Sequence, residues 1–379
     1  MIRKAINQSS SAKIIVTGCS AQSCSNDLKH IEGINFILGN KEKNSILKYL
    51  KMPEDNYPVI DINPIKHLKR YDTLSKKYLG LHTRSLIKIQ DGCNNFCSYC
   101  KIPYVRGPQR SREPEDILKE ICVLEEKGIK EIVLLGINLG TYGHDFENKI
   151  LNLAKLIRMI ENNCRKIERI RLSSIEINHI DEELINIFKT SGKMCPHLHI
   201  PLQNGSDRIL QLMNRPYDTT FFSDNISKIR TYIPKLSITT DVMVGFPGED
   251  DQSFNETYHF IKRINFSKLH VFPYSDREKC LSSLLLNKID DLVKKDRMNQ
   301  LLKLSKELHF NFMKSNLYGI RELLIETLKT NKRGKIDAYG ITDNYIRVKI
   351  NDFHGEKGDL LNGRLFEIDK DYMLAKILH

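Results

Sequence analysis

The sequence predicts an α/β chain in three parts. These are an N-terminal βαβ piece (residues 1–70), a partial (β/α)6 barrel (80–312) and a small C-terminal β-barrel (315–379). Three observations predict it. From residue 83 onward, six strand-sized apolar runs alternate with five helix-period segments, and such alternation builds right-handed βαβ units around a parallel sheet. Shorter strand–helix repeats precede them. After a long amphipathic segment the helical period gives way to short strands separated by turn glycines. At 379 residues the chain is long enough for several cores.

Residues 12–16 read as a buried parallel strand ending at Thr17-Gly18-Cys19, followed by a short helix, a second strand at 34–38 and a helix near 45–50. Two strands leave a doubly wound sheet incomplete, so the chain is expected to open partway through a βαβ domain. Residues 51–79, with Pro53, Pro58 and Pro64, read as a linker. The barrel strands are expected at 85–89, 131–135, 169–172, 197–202, 238–244 and 268–272. The intervening helices are expected at 114–127, 151–162, 181–190, 221–232 and 251–264. Pro114 at a first helical position and Gly128 just past an end punctuate the first of these. Six repeats fit a partial barrel better than a closed eightfold one, and chemistry in such folds sits at the C-terminal ends of the strands. A helix over 290–316 leads to short strands at 323–327, 335–341, 345–349 and 364–368, with turn glycines at 334, 355, 358 and 363.

The formal net charge of +12 suits a polyanion such as RNA. Scattered solvated lysines in a chain rich in Lys, Asn and Ile account for it equally. No apolar run approaches the ~20 residues that span a bilayer, and Met1-Ile2-Arg3-Lys4-Ala5 carries no signal-peptide core. A soluble, cytoplasmic protein without a membrane partner is expected. Its nine cysteines then read as metal ligands or core thiols, not disulfides.

Cys93, Cys97 and Cys100 lie in the run Asp91-Gly92-Cys93-Asn94-Asn95-Phe96-Cys97-Ser98-Tyr99-Cys100, with no fourth cysteine nearby. Full ligation of a [4Fe–4S] cluster takes four thiolates, so three leave one iron open to a ligand. A structural zinc site would need a fourth ligand. Cys122 falls in an expected helix, and His197 and His199 are distant in sequence. The segment 101–112, with Lys101, Tyr104, Arg106, Arg110 and Arg112, reads either as a single-stranded RNA surface or as a basic rim loop.

The triad, with Tyr99 before its last cysteine, resembles the radical S-adenosylmethionine superfamily. Leu135–Gly143, Arg171–Glu176, Pro201–Asp207 and Val244–Glu249 narrow the resemblance to its methylthiotransferase branch. His197–Pro201, Met213–Tyr217 and His270–Ser275 narrow it further, to the group acting on N6-threonylcarbamoyladenosine in tRNA. The resemblance implies cluster ligation by Cys93, Cys97 and Cys100. Contacts to S-adenosylmethionine are implied for Tyr99, Gly136, Asn138, Ser174, Glu176, Gln203 and Gly245. On their own residues, the Gly136 loop also reads as an ordinary βα turn, Ser174 or Glu176 as a cap of the helix near Asp181, Ser206 or Asp207 as an N-cap, and Gly245 as a turn.

The implied reaction is reductive cleavage of S-adenosylmethionine to a 5′-deoxyadenosyl radical and methylthiolation at C2 of the modified adenosine at position 37. A reductant such as flavodoxin or ferredoxin would supply the electron. Isopentenyl-adenosine or a ribosomal protein are alternative substrates, and a non-catalytic chain that binds S-adenosylmethionine and RNA is a third reading. The family's second cluster, held by three N-terminal cysteines, would retain only Cys19. An upstream start, a decayed gene or a partner chain would each account for that. The C-terminal barrel resembles the RNA-binding TRAM module, yet 315–379 holds eleven Lys/Arg against ten Asp/Glu. Its cations concentrate only in the turn of Lys329, Lys332, Arg333 and Lys335. Glu278–Ser283 departs from the family's loop after Pro273-Tyr274-Ser275.

Overall fold

A computed structural model describes residues 1–8, 12–53, 58–66, 68, 71, 83–148 and 150–378. The chain divides into two compact units. The smaller comprises Met1–Ser75, Asp91–Phe96 and Cys100–Arg110, and the larger comprises Lys76–Gln90, Cys97–Tyr99 and Ser111–His379.

The smaller unit holds helices α1 (Ile2–Gln8), α2 (Cys19–Leu28) and α3 (Ile46–Leu50), with strands β1 (Ile15–Thr17), β2 (Phe36–Leu38) and β3 (Val59–Asp61). All three strands are parallel, in the order β1-β2-β3. Strand β3 corrects the reading of 51–79 as linker: Phe36 pairs with Val59 and Leu38 with Asp61. Its three residues sit between Pro58 and Pro64, and as an edge strand it tolerates a flanking residue without a donor. Residues 54–57, 67, 69–70 and 72–79 of that stretch lie outside the described residues. Tyr49, buried on α3, donates its phenol to Asp61 Oδ2 at 2.5 Å, and this bond pushes the phenol pKa up to about 12.

Two-residue strands β5 (Gln90–Asp91) and β6 (Arg110–Ser111) flank α4 (Ile102–Val105) in sequence. The larger unit is built on β4 (Arg84–Lys88), β7 (Glu131–Leu135), β8 (Arg169–Leu172), β9 (His197–His199), β10 (Ser237–Val244) and β11 (Lys268–Pro273). They form two parallel three-stranded sheets, β4-β7-β8 and β9-β10-β11. Isolated parallel bridges Ile170↔Met194 and Ser174↔His199 join β8 to β9. This is the expected partial (β/α)6 barrel.

Its helices α5 (Pro114–Glu126), α6 (Leu153–Asn163), α7 (Glu182–Thr190), α9 (Thr219–Tyr232) and α10 (Asp251–Ile264) turn apolar stripes such as Ile117, Ile121 and Leu124 into one core with the strands. Their starts are written in the sequence. Asn152, Asp181, Asp218 and Asp250 each accept a backbone N–H from the first turn. Asp181 thereby fills the capping role left open for Ser174 or Glu176. A sixth helix, α8 (Asp207–Leu212), was not expected. Ser206 stands at its start but makes no side-chain cap bond, and its hydroxyl donates instead to Glu256.

Helix α11 (Asp291–Ser315) leads to a closed barrel of β12 (Ile320–Thr330), β13 (Ile336–Thr342), β14 (Arg347–Ile350), β15 (Leu360–Asp369) and β16 (Tyr372–Ile377), ordered β12-β13-β14-β16-β15. The fifth strand, β16, closes the barrel and was missing from the expectation. The turn 342–345 docks on the N-terminal ends of the larger barrel's strands. Arg169 donates to Thr342 O at 2.9 Å and Arg171 to Asp343 O at 2.9 Å. Both arginines share Glu131, with Arg169 Nε 3.0 Å from its Oε2 and Arg171 Nε 2.9 Å from its Oε1. All three side chains are buried. Among the described residues no helix is long and apolar enough to cross a membrane.

Removing the charge of Glu131 leaves two buried guanidiniums without their carboxylate, so Glu131→Gln should cost about 3–5 kcal/mol, read as a lower urea midpoint. Tyr49 should give a pH signature. A raised phenol pKa contributes stability that is complete below pH 10, the unfolded value, and is lost as pH rises toward about 12. Urea midpoints of the parent and Tyr49→Phe measured across that window should therefore converge.

Candidate cofactor site at the strand ends

In the larger unit Cys97 is buried, and the residue after it is clamped. Ser98 N donates to Met213 O at 3.0 Å, its hydroxyl to Leu212 O at 2.8 Å, and Ser98 O accepts from Ser282 N at 2.8 Å. Ser282 also meets the Tyr274 hydroxyl at 3.0 Å, which is what the divergent segment Glu278–Ser283 does here. Tyr99 packs edge-to-face on Phe246, centroids 6.4 Å apart. Arg215 approaches the Cys97 Sγ at 3.3 Å with one nitrogen and donates to Glu176 at 2.6 Å with another. Its side chain is only 2% exposed. A buried guanidinium needs compensating negative charge, and Glu176 supplies one unit. The Cys97 sulfur accepts from the same guanidinium. Tyr217 completes the cluster, accepting from Arg215 at 2.9 Å and donating to Pro201 O at 2.8 Å.

The next strand end is organised by Gln90, whose side-chain carbonyl accepts from Ile137 N at 2.9 Å and Asn138 N at 3.0 Å. A Cβ on Gly136 would meet that carbonyl at 3.1 Å and Leu139 Cα at 3.0 Å, so any larger residue would push the loop away from Gln90 by a few tenths of an ångström. Asn138 is buried, and neither atom of its side-chain amide has a hydrogen-bond partner among the described residues. Ser173 Oγ and Gln203 Oε1 are buried and unpartnered in the same sense. Gln203 carries a φ of 68°, a strained conformation for a non-glycine residue. Ser174 pairs with His199 across the β8–β9 join. Gly245, at φ 71°, donates its N–H to Glu249, whose carboxyl burial holds above its usual range.

Behind these ends, the barrel lumen contains a cavity of about 790 Å3 lined by apolar Leu86, Val133, Leu135 and Leu172 and by polar side chains including Ser174, Arg171, His199, Asp241 and His270.

In the smaller unit, Cys93 follows Gly92 at φ 75°, where a Cβ would sit 1.9 Å from Pro108 O. Cys93 N donates to Gly107 O at 3.2 Å, and Asn95 N lies 3.4 Å from the Cys93 sulfur. Cys100 belongs to this unit as well. Cys19, at the start of α2, has Arg106 Nε 3.1 Å from its sulfur.

Two cations of 101–112 belong to neither a basic rim nor a phosphate surface. Arg110 and Arg112 are buried. Arg106 and Arg110 face Asp91 at 3.6 and 3.7 Å, Lys101 donates to Ser23, and Arg112 pairs with Glu120. What remains exposed is aromatic: Phe96 and Tyr104, edge-to-face at 6.0 Å. In the small barrel, Lys335 pairs with Asp352 and Lys329 lies over the Tyr339 ring.

Arg215, Gln90 and Ser98 were not singled out from the sequence, although Arg215 lies inside the quoted run Met213–Tyr217. The residues present fit the expected groups. Cys97 lies against the Arg215 guanidinium, and Asn138, Ser173 and Gln203 offer unsatisfied polar atoms at neighbouring strand ends.

Comparison with known proteins agrees. The model of the Radical SAM superfamily matches residues 87–261. Threonylcarbamoyladenosine tRNA methylthiotransferase MtaB of Bacillus subtilis is 38% identical over 349 residues, covering 92% of this chain and 77% of that one. The enzyme of the same name from Aquifex aeolicus is 36% identical, covering 92% and 82%. The tRNA-2-methylthio-N(6)-dimethylallyladenosine synthase of Thermoanaerobacter sp. is 37% identical, covering 83% and 63%.

Gln203 tests the site. Gln203→Gly should relieve the positive φ and raise stability by about 1 kcal/mol, while weakening S-adenosylmethionine binding through loss of the inward carbonyl. Urea denaturation and a ligand titration of the iron-loaded protein read the two effects separately.

Proposed function

Because the chain belongs to the threonylcarbamoyladenosine tRNA methylthiotransferases of the Radical SAM superfamily, we propose that it adds a methylthio group to C2 of N6-threonylcarbamoyladenosine at position 37 of tRNA. Similarity to the B. subtilis enzyme across 92% of the chain carries this reading. In it, Cys93, Cys97 and Cys100 hold a [4Fe–4S] cluster, and Tyr99, Gly136, Asn138, Ser174, Glu176, Gln203 and Gly245 border S-adenosylmethionine. When bound, these groups supply the one-electron chemistry that activates the C2–H bond of the base.

The chain's own residues position them. Arg215 holds the Cys97 sulfur and fixes Glu176. Ser98 pins the triad loop, and Gln90 holds the loop that aims Asn138. The exposed Phe96–Tyr104 pair offers a stacking face for a splayed base, and the C-terminal barrel serves as the TRAM-like RNA module. The domain division 1–70, 80–312 and 315–379 is part of this reading, as are an external reductant of the flavodoxin or ferredoxin type and a cytoplasmic setting. Cys19, beside Arg106, is the candidate ligand of a second cluster.

The dimethylallyladenosine enzymes are nearly as similar in identity, so isopentenyl-adenosine is the second reading. The polar side chains that share the lumen with Leu86, Val133, Leu135 and Leu172 favour the first reading, since a threonylcarbamoyl group carries hydrogen-bonding atoms that a dimethylallyl group lacks.

Nucleosides from the tRNA of a strain lacking the gene should lack the C2-methylthio form of threonylcarbamoyladenosine and regain it on complementation. Recovery of methylthio-isopentenyladenosine alone would move the assignment to the second reading. Cys93→Ala, Cys97→Ala and Cys100→Ala should each abolish complementation and the brown colour of the reconstituted protein, and the parent should bind about four irons for one cluster or eight for two.

A further inference from the structure

His199, Asp241 and His270 come from neighbouring strands. His199 pairs with Thr239, and Asp241 with His270, in the parallel register of β9, β10 and β11. Side chains two apart on a strand share a face, so Thr239 and Asp241 both point into the lumen and meet the two histidines there. The His199 Nε2 lies 3.2 Å from Asp241 Oδ2, and His270 Nδ1 lies 3.5 Å from Asp241 Oδ1. One ligating atom from each residue lies within 4.8 Å of the other two. The imidazoles stack with centroids 5.2 Å apart.

We propose that His199, Asp241 and His270 form a binding site for a divalent transition-metal ion of the zinc or ferrous class, separate from the cysteine triad. Two imidazoles and one carboxylate make the donor set that such ions take with coordination positions left open. A tetrahedral ion bound at about 2.0–2.1 Å sets its donors about 3.3 Å apart; His199 lies 3.2 Å from one oxygen of Asp241 and His270 3.5 Å from the other, so the carboxylate turns to offer one oxygen to both imidazoles or binds through both.

Supporting contacts complete the design. Thr239 Oγ1 lies 2.9 Å from His199 Nδ1, turning Nε2 toward Asp241, and 3.2 Å from His197 Nε2. Such a partner on the far ring nitrogen is the usual orienter of a metal-bound histidine. All three ligands line the 790 Å3 cavity, so the open positions face the lumen and accept water or the oxygen of an entering carboxylate or carbonyl. A second three-residue cluster, Cys122, Glu125 and Cys164, lies on the helical shell. It provides the control.

The test counts zinc and iron together on the cluster-loaded chain after exposure to micromolar zinc chloride and gel filtration. The parent should retain one zinc per chain with its iron unchanged. His199→Ala, His270→Ala and Asp241→Asn should each retain at most a tenth of that with iron still unchanged. Thr239→Val, which leaves every ligand in place, should weaken zinc binding tenfold or more in competition with a chelator, so the claim does not depend on the ligand variants folding. Cys122→Ser should keep the zinc. Three results would overturn the site: no zinc retained by the parent, which would leave an ion-free triad in which Asp241 accepts from both imidazoles; equal retention by the three ligand variants; or loss of the zinc in Cys122→Ser.

Discussion

The strand-end site depends on one buried cation. Arg215 touches the sulfur of Cys97, the carboxylate of Glu176 and the hydroxyl of Tyr217, and Tyr217 in turn donates to Pro201 O. Three segments separated in sequence are thereby held together: the triad loop, the end of β8 and the end of β9. Removing a guanidinium from water is expensive unless charge and hydrogen bonds replace the lost hydration. That requirement ties the residues to one another more tightly than shape alone.

The same logic runs at the opposite end of the barrel. Glu131, Arg169 and Arg171 bury one carboxylate against two guanidiniums, and the excess donors reach Thr342 O and Asp343 O on the small barrel. Tyr345 covers them, 4.9 Å from Arg171 and stacked on His197 at 4.3 Å. A hydrophobic interface would be cheaper to bury. What the charged one supplies is direction, since each donor must find a carbonyl and the turn at 342–345 offers them in one orientation.

Much of the architecture was legible because buried parallel strands are short continuous apolar runs and because helix starts carry their caps. The segments at 131–135, 169–172 and 251–264 coincide with β7, β8 and α10. What escaped had weak local signal. Strand β3 has three residues between prolines, α8 has six, and β16 follows the tight turn after β15. The triad was visible in its spacing, but its partner was not, since Arg215 lies 118 residues from Cys97 and only folding brings them together. Two cations of 101–112 were illegible for the complementary reason. Sequence shows charge but not where it points, and Arg110 and Arg112 point inward.

The unsatisfied groups say more about purpose than the satisfied ones. Folding normally pairs buried polar atoms, because each one left alone costs about 1–3 kcal/mol. Among the described residues the Asn138 amide, Ser173 Oγ and Gln203 Oε1 are unpartnered at adjacent strand ends, and Gln203 adds a strained φ. Packing does not require any of this: an apolar residue at each position would be more stable. Such a cost persists where a bound molecule recovers it, as S-adenosylmethionine would in the proposed function. The buried network of Arg215 has the opposite character. It is nearly saturated without a ligand, so it acts as the fixed wall against which the unsatisfied groups are aimed.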